Sequence, residues 1–430
     1  MDLTIERFDL DASVREPNTR RPTPPGQVIP TDFPFIVDDE TQTLVEPLNL
    51  FLLHKFNGGN AYRGPVWTKE NSARAAAEDL KVWWKFMHDH RAHVSWDNVS
   101  DHILSSYLQA LSRVPSGKTG DHLAAGTIKR HCSSIDAFNG FASAKWPKGT
   151  FPSMGAAKIL AGFAGTAPKH ETDELPRPLT DENVRAVNKA LGPMPSKRTK
   201  RQSSRTRLAF ALAVQVGLRV DEIVNLRAST FRDMRVNPAR PMGAMVLRIT
   251  KTKGLVPRDA YFPNWLVLEL QAYIANERAE SVERGMKLWI KDETEIPWEL
   301  LLNRPDARGR GAGKAATPDS IENDFNEAIK SLDLTIPRGI LSGTDKATVI
   351  DVPKHVFHDG RHTYAHMTFS GMLLQKKPVE AAWMLLKLRL GHAHVKTTID
   401  TYLRAFSEVS ETEVELLVEH LRSLEEEAAL

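Results

Sequence analysis

The sequence predicts a mainly helical protein with a small β-sheet, divided into two domains. Three observations carry this. The chain has 430 residues, and a single hydrophobic core rarely grows past roughly 250–300. From Thr68 onward most segments space their apolar residues as an amphipathic helix does, and only the stretch around Gly254 reads as paired strands. A polar, proline-bearing run, TAPKHETDELPRPLT, separates one helical group from the next and reads as a linker.

The elements follow in order. Residues 1–62 are rich in proline, acid and turn formers (REPNTRRPTPPGQVIPTDFP) and read as an extension, partly disordered or accessory, with a short helix in TLVEPLNLFLLHKF. Residues 63–166 read as an all-α domain. TKENSARAAAEDLKVWWKFMHDH has Thr68 as an N-cap followed by strong helix formers. SDHILSSYLQALSRV, GTIKRHCSSIDAFNGFASAKW and PSMGAAKILAGFAG supply three more helices. After a linker at 167–178, residues 179–408 form a second, mixed domain. Its helices are expected in DENVRAVNKAL, RLAFALAVQVGL, NWLVLELQAYIANERAESVERG, DSIENDFNEAIKSL, GRHTYAHMTFSGML, KPVEAAWMLLKLRL and VKTTIDTYL, and its strands in AMVLRITKTKG and PRDAYFP. Residues 409–430 form an amphipathic helix with Val414, Leu417, Val418, Leu421 and Leu424 on one stripe.

Composition narrows the function. Hydrophobic residues make up 41% of the chain, and no apolar run approaches the ~18–20 residues of a membrane span. The acidic, mixed N-terminus does not read as a secretory signal. Cys132 is the one cysteine, which excludes an intrachain disulfide and a cysteine-based zinc site and fits a reducing cytosol. Net charge is only +3, yet SKRTKRQSSRTR holds six basic and no acidic residues, and NRPDARGRGAGK four basic and one acidic. Such runs are either solvated surface or a polyanion contact.

Four places hold residues suited to phosphate chemistry. In QVGLRVDEIVNLR a helix ends at Gly217 and restarts after Arg219. An arginine at such a break can clamp a phosphate, or be an ordinary surface residue. Lys251 and Lys253 flank the tip of the expected hairpin, as a proton donor to a leaving oxygen, a DNA contact, or solvated turn residues. HDGRHTYAHMTF holds His358, Arg361, His362 and His366. In LRLGHAHVKTTIDTYLR, His392 follows a helix-ending glycine and Tyr402 lies ten residues on, as a reactive phenol or a core ring.

The order Arg219, Lys251, His358-x-x-Arg361, Gly391-His392, Tyr402, with the wording GLRVDEI, RHTYA and LGHAHVKTTIDTY, strongly resembles the tyrosine recombinase (phage integrase) family. The likeness covers about residues 177–407. Segment 65–165 is similar, less specifically, to that family's SAM-like helical core-binding domain. The resemblance implies a two-domain clamp on duplex DNA that cuts and rejoins strands through a 3′-phosphotyrosine, with no metal, nucleotide or other cofactor. Tyr402 would be the nucleophile. Arg219, Arg361 and His392 would bind the charged transition state, His358 would act as base or phosphate ligand, and Lys251 would protonate the leaving 5′ oxygen. Glu222 and His362 would support them. Lys197, Arg198, Lys200, Arg201 and Lys253 would contact DNA phosphates.

It further implies a homotetrameric synapse, accessory DNA-bending or directionality proteins, no membrane partner, and a cytoplasmic, nucleoid-associated place in a prokaryotic or mobile-element host. The terminal helix would pack on its own domain or, as a tetramer favours, dock on a neighbouring protomer. Three departures stand out. Gly360 replaces a bulky apolar residue, the span from Arg361 to His392 is longer by about two helical turns, and Lys253 competes with Lys251. Two other readings are a catalytically inactive DNA-binding relative and a zinc hydrolase. In the latter, His358 and His362 mimic H-E-x-x-H, but Asp359 is a methylene short and Arg361 sits among the ligands.

Overall fold

The computed structural model describes residues 3–7, 29, 33–57, 70–89, 95–113, 123, 125–155, 177–199, 202–250, 257–341, 347–392 and 394–408. It is mainly helical with small sheets. It divides into two compact units, Met1–Asp173 with Gly339–Thr348, and Glu174–Arg338 with Val349–Leu430. The expected linker up to residue 176, the later part of the PSMGAAKILAGFAG helix and the terminal helix 409–430 lie outside the described residues.

In the first unit β1 (Leu3–Arg7) runs antiparallel to β2 (Pro34–Asp38), with Ile5 opposite Ile36, and β3 (Thr43–Leu44) closes a three-stranded sheet. Helix α1 (Glu46–Leu52) continues into a π-helical turn, Leu53–Asn57. Then come α2 (Glu70–Asp89), α3 (Asp101–Arg113) and α4 (Ala125–Lys145). The expected Thr68 cap falls outside the described residues.

The segment expected to be an extension is in part structural. Leu3, Ile29, Phe33, Ile36, Leu48 and Phe51 belong to the same buried core as Leu80, Trp83, Tyr107 and Phe138. Its proline-rich composition hides this, because the apolar residues cluster in two short strands and a helix rather than spreading along the segment. Asn49, 1% exposed, fastens α1 to β2. Its Oδ1 accepts from Ile36 N at 2.9 Å, and its Nδ2 donates to Ile36 O at 2.8 Å. A second buried polar group, Asp79, joins α2 to α4 by accepting from Arg130 and Ser134.

The second unit opens with α5 (Asp181–Ala190), whose N-cap Thr180 accepts from Asn183 N. Helix α6 (Arg205–Val216) is buried on nearly all sides, so its RLAFALAV run is the axis around which the unit packs. Short helices α7 (Val220–Val224) and α8 (Ala228–Arg232) follow. The hairpin β4 (Ala244–Ile249) and β5 (Arg258–Pro263) pairs antiparallel with Leu247 opposite Ala260. Helix α9 (Asn264–Tyr273) runs through a π-helical turn, Ile274–Arg278, into α10 (Ala279–Met286).

Next are α11 (Pro318–Ser331), the paired strands β6 (Thr335–Leu341) and β7 (Ala347–Pro353), and helices α12 (Asp359–Leu374), α13 (Val379–Leu390) and α14 (Val395–Glu408). Strands β6 and β7 were not expected from the sequence. Pro337, Gly339 and Pro353 interrupt the alternation that marks a strand.

Two cores hold this unit. The larger joins α6, the hairpin, α9 and α11 through Phe210, Phe262, Leu270 and Phe325. A smaller one gathers Tyr364, Phe369, Trp383, Leu386 and Tyr402 from α12, α13 and α14. Gly360 sits where α12 approaches α6. A Cβ there would lie 3.1 Å from Phe210 Cε2 and 3.2 Å from Ala213 Cβ, so the absence of a side chain permits the approach.

Asn49→Ala would leave Ile36 N without its buried acceptor and take one of two donors from Ile36 O, which keeps Val45 N at 3.0 Å. We expect a loss of about 1–3 kcal/mol in chemical denaturation. A loss below about 0.5 kcal/mol would show that the N-terminal sheet is held by other means.

Candidate functional site

Two helix ends build the site. Helix α6 stops at Gly217 (φ 72°) and α13 at Gly391 (φ 67°), each a left-handed C-terminal glycine. Neither could be another residue cheaply. A Cβ at Gly217 would overlap the Tyr364 ring, and one at Gly391 would stand 2.5 Å from Arg258 Cδ. Helix C-termini carry orphan carbonyls and partial negative charge. Here guanidinium groups satisfy them. Arg361 donates to Gly217 O, and to Leu390 O at 2.5 Å. Arg258 donates to Arg389 O at 3.0 Å and to Gly217 O at 3.4 Å.

Glu222 stands among the cations. Its carboxylate caps α7 by accepting from Arg219 N at 2.9 Å and takes a second bond from Arg219 Nη1 at 3.0 Å. It accepts from Arg258 Nη2 at 2.5 Å, and Arg361 Nη1 lies 3.8 Å away. Three guanidiniums thus surround one carboxylate. Arg361, only 1% exposed, is pulled down to about 9, first by burial and then by Arg219 and Arg258. A buried excess of positive charge favours an incoming anion. Arg219 is the more open of the cations, with its side chain 17% exposed.

Tyr402, on α14, is buried at 3% exposure. Burial raises its pKa, while Arg361 and Arg219 pull the other way. Its hydroxyl is 3.2 Å from His362 Nδ1. The His392 ring lies parallel to the Tyr402 ring at 6.4 Å, and its Nδ1 shares a 2.9 Å hydrogen bond with Thr398 Oγ1. His358 is exposed and sits edge-on to His362 with centroids 4.7 Å apart. Burial, then neighbouring cations, lowers His392 to about 4; burial, then His358, does the same for His362.

The structure therefore gathers Arg219, Glu222, Arg361, His362, His392 and Tyr402 around one point, with His358 at its edge. Lys251, Lys253, Lys200 and Arg201 lie outside the described residues. Of the remaining basic-run residues, Lys197 is exposed. Arg198 is not available as a DNA contact in this arrangement. Its side chain is 6% exposed and grips Glu280 at 2.7 Å and Glu277 at 3.4 Å. Arg205 likewise turns inward to Asp324 at 2.6 Å and Asn303 at 2.9 Å. Composition alone cannot separate a basic surface from basic residues that tie helices together. In the second run Arg304, Arg308 and Lys314 are exposed.

Asp359, which stands where a zinc helix has its catalytic glutamate, spends its carboxylate on Val356 N at 3.0 Å and His355 Nδ1 at 3.3 Å. It closes the start of α12 and is not free to activate a water.

Arg258 is the residue that sequence reasoning missed. The signal was its parity. In β5 the inward positions are Arg258, Ala260 and Phe262, so an arginine in the buried phase called for a buried partner.

No family model matches the chain, and no curated protein does. Among solved structures it is similar to one titled crystal structure of XerA recombinase, at 14% identity, over 85% of this chain and 98% of that chain, with a TM-score of 0.31.

Two outcomes follow. Glu222→Gln removes the one carboxylate from three guanidiniums and should cost about 3–5 kcal/mol in chemical denaturation, as for other broken buried pairs. Stability should also fall in acid. Both His362 and His392 hold a proton more weakly folded, at about 4, than unfolded, at roughly 6.5. Between those values the unfolded chain carries more protons, so their contribution is full above about 6.5 and is lost as pH falls through about 4. Melting temperatures from pH 7.5 to 4 should show this, and a His362→Gln, His392→Gln variant should give a flatter profile.

Proposed function

We propose that this protein is a site-specific DNA recombinase that breaks and rejoins a phosphodiester through Tyr402. The observation that carries the reading is the cluster of three guanidiniums, Arg219, Arg258 and Arg361, around the single carboxylate of Glu222 and beside a buried phenol. Such a cluster suits a phosphate, and a phosphate held there would meet a nucleophile.

In this reading Arg219 and Arg361 ligate the non-bridging oxygens, where negative charge gathers in the pentacoordinate transition state. His392 adds a hydrogen bond, with Thr398 orienting its ring. Glu222 and Arg258 keep the two catalytic arginines in place. Tyr402 Oη gives up its proton to a base of the site and bonds phosphorus as the P–O5′ bond breaks. The 5′ oxygen leaves as a hydroxyl after taking a proton from an ammonium group, for which Lys251 is the candidate. A second 5′-hydroxyl then attacks the 3′-phosphotyrosine and releases Tyr402. The phosphoester bond energy is conserved, so neither ATP nor a metal is required. The partner is duplex DNA, whose phosphates exposed Lys197, Arg304, Arg308 and Lys314 would contact. No helix among the described residues is long and apolar enough to cross a membrane. Assembly on DNA as a homotetramer belongs to the same reading.

The test is a covalent adduct. Purified protein is incubated with tiled duplex fragments of the DNA flanking its own gene, with excess EDTA, then quenched in SDS. Wild type should yield a protein–DNA adduct and Tyr402→Phe none. The variant loses one oxygen and should stay within about 1–2 kcal/mol of wild-type stability. An adduct that survives Tyr402→Phe, or its absence from wild type across every fragment, overturns the reading.

A further inference from the structure

The Tyr402 hydroxyl meets an imidazole. His362 Nδ1 stands 3.2 Å from its oxygen. The Arg361 cation nearby favours an ionised phenol. A phenol has one proton, and for it to pass to His362 the Nδ1 atom must be bare, which places the ring hydrogen on Nε2. We propose, building on the strand-transfer reading, that His362 is the general base that takes the Tyr402 proton, and that an anion held by the arginine cluster is what makes it strong enough to do so.

The transfer balances in atoms and charge. The Oη–H bond breaks as Oη bonds phosphorus, and the proton passes to Nδ1 to give an imidazolium. When the phosphotyrosine is later attacked, Tyr402 departs and recovers that proton. Solvent is poorly placed to do this work, because Tyr402 is 3% exposed. The rings of His362 and Tyr402 meet at 69° with centroids 5.4 Å apart, so the contact is edge-on through the nitrogen rather than a stack. His358, exposed and 4.7 Å further along the same helix face, offers the proton an outward route.

In the unliganded site the transfer runs uphill. His362 is held down at about 4, first by burial, then by His358, Arg361 and His392, with Asp359 alone opposing them. Tyr402, facing it from α14, is raised by burial. A phosphodiester changes both sides. Its negative charge offsets Arg361 and strengthens the imidazole. The phenol also loses basicity as its oxygen bonds phosphorus. The base is thereby idle until the arginines are occupied, which protects an unloaded site.

The experiment has two arms on the full chain. In the first, 15N-histidine-labelled protein is titrated by NMR, with His362→Asn used to assign the signal. His362 should show a bare Nδ1 and a protonated Nε2, and saturating inorganic phosphate should move its titration midpoint up by at least a pH unit. A hydrogen on Nδ1, or a midpoint unmoved by phosphate, overturns the proposal. In the second, single-turnover adduct formation is followed on a fragment that wild type cleaves. His362→Asn keeps a hydrogen-bonding group near the Nδ1 position but cannot take a proton. Its rate should fall about 10²–10⁴-fold and keep rising with pH where wild type levels off, with DNA affinity unchanged. A rate within threefold of wild type overturns the assignment. Should wild type form no adduct at all, the strand-transfer reading is what has failed, and the proposal falls with it.

Discussion

One buried carboxylate organises the second unit of this molecule around the arginine cluster. Glu222 bonds Arg219 and Arg258 and lies 3.8 Å from Arg361, while its own helix begins on the backbone amide it caps. Burying three guanidiniums together costs several kcal/mol of solvation each unless charge and hydrogen bonds replace water. The carboxylate supplies the charge. The C-termini of α6 and α13 supply the remaining acceptors, through Gly217, Arg389 and Leu390. Cations and helix ends satisfy one another, and each would be destabilised alone.

That arrangement dictates the packing around it. Arg361 reaches Gly217 O because α12 lies close against α6, and the missing side chain at Gly360 lets it do so. Thr363, one turn on from Gly360, accepts from Leu179 N and pins the start of α5 to α12. Tyr402 rests on a different foundation. It packs with Phe369, Trp383 and Leu386 in the smaller core, apart from the cluster around α6. Helix α12 joins the two, since it carries Arg361 at its start and Tyr364 and Phe369 of the smaller core further on.

The legible and illegible parts of the sequence divide along physical lines. The helices from Glu70 onward and the β4–β5 hairpin were readable because their periodicity is local. Strands β1 and β2 were not, since Ile5 finds Ile36 across a long polar stretch that carries no pattern. Arg198 looked like a surface cation because nothing nearby in sequence reveals Glu277 and Glu280, about eighty residues on. Arg258 was passed over for the mirror reason. It passed as one more residue of the expected strand PRDAYFP, and only the burial of its strand face shows that it must be paired.

The sequence by itself determined the chemical inventory: which guanidiniums, imidazoles and phenol exist, their order, and the glycines that end α6 and α13. Spacing along one helix also put His358, Arg361 and His362 within a turn of one another. What only the tertiary structure decided is which of them touch. It set a third arginine beside Glu222, turned Asp359 back onto its own helix start, and brought His362 rather than another histidine into hydrogen-bonding distance of Tyr402. The reason is geometric. Sequence spacing specifies neighbours three or four residues apart, whereas His362 and Tyr402 are forty residues apart and meet only because three helices share a core.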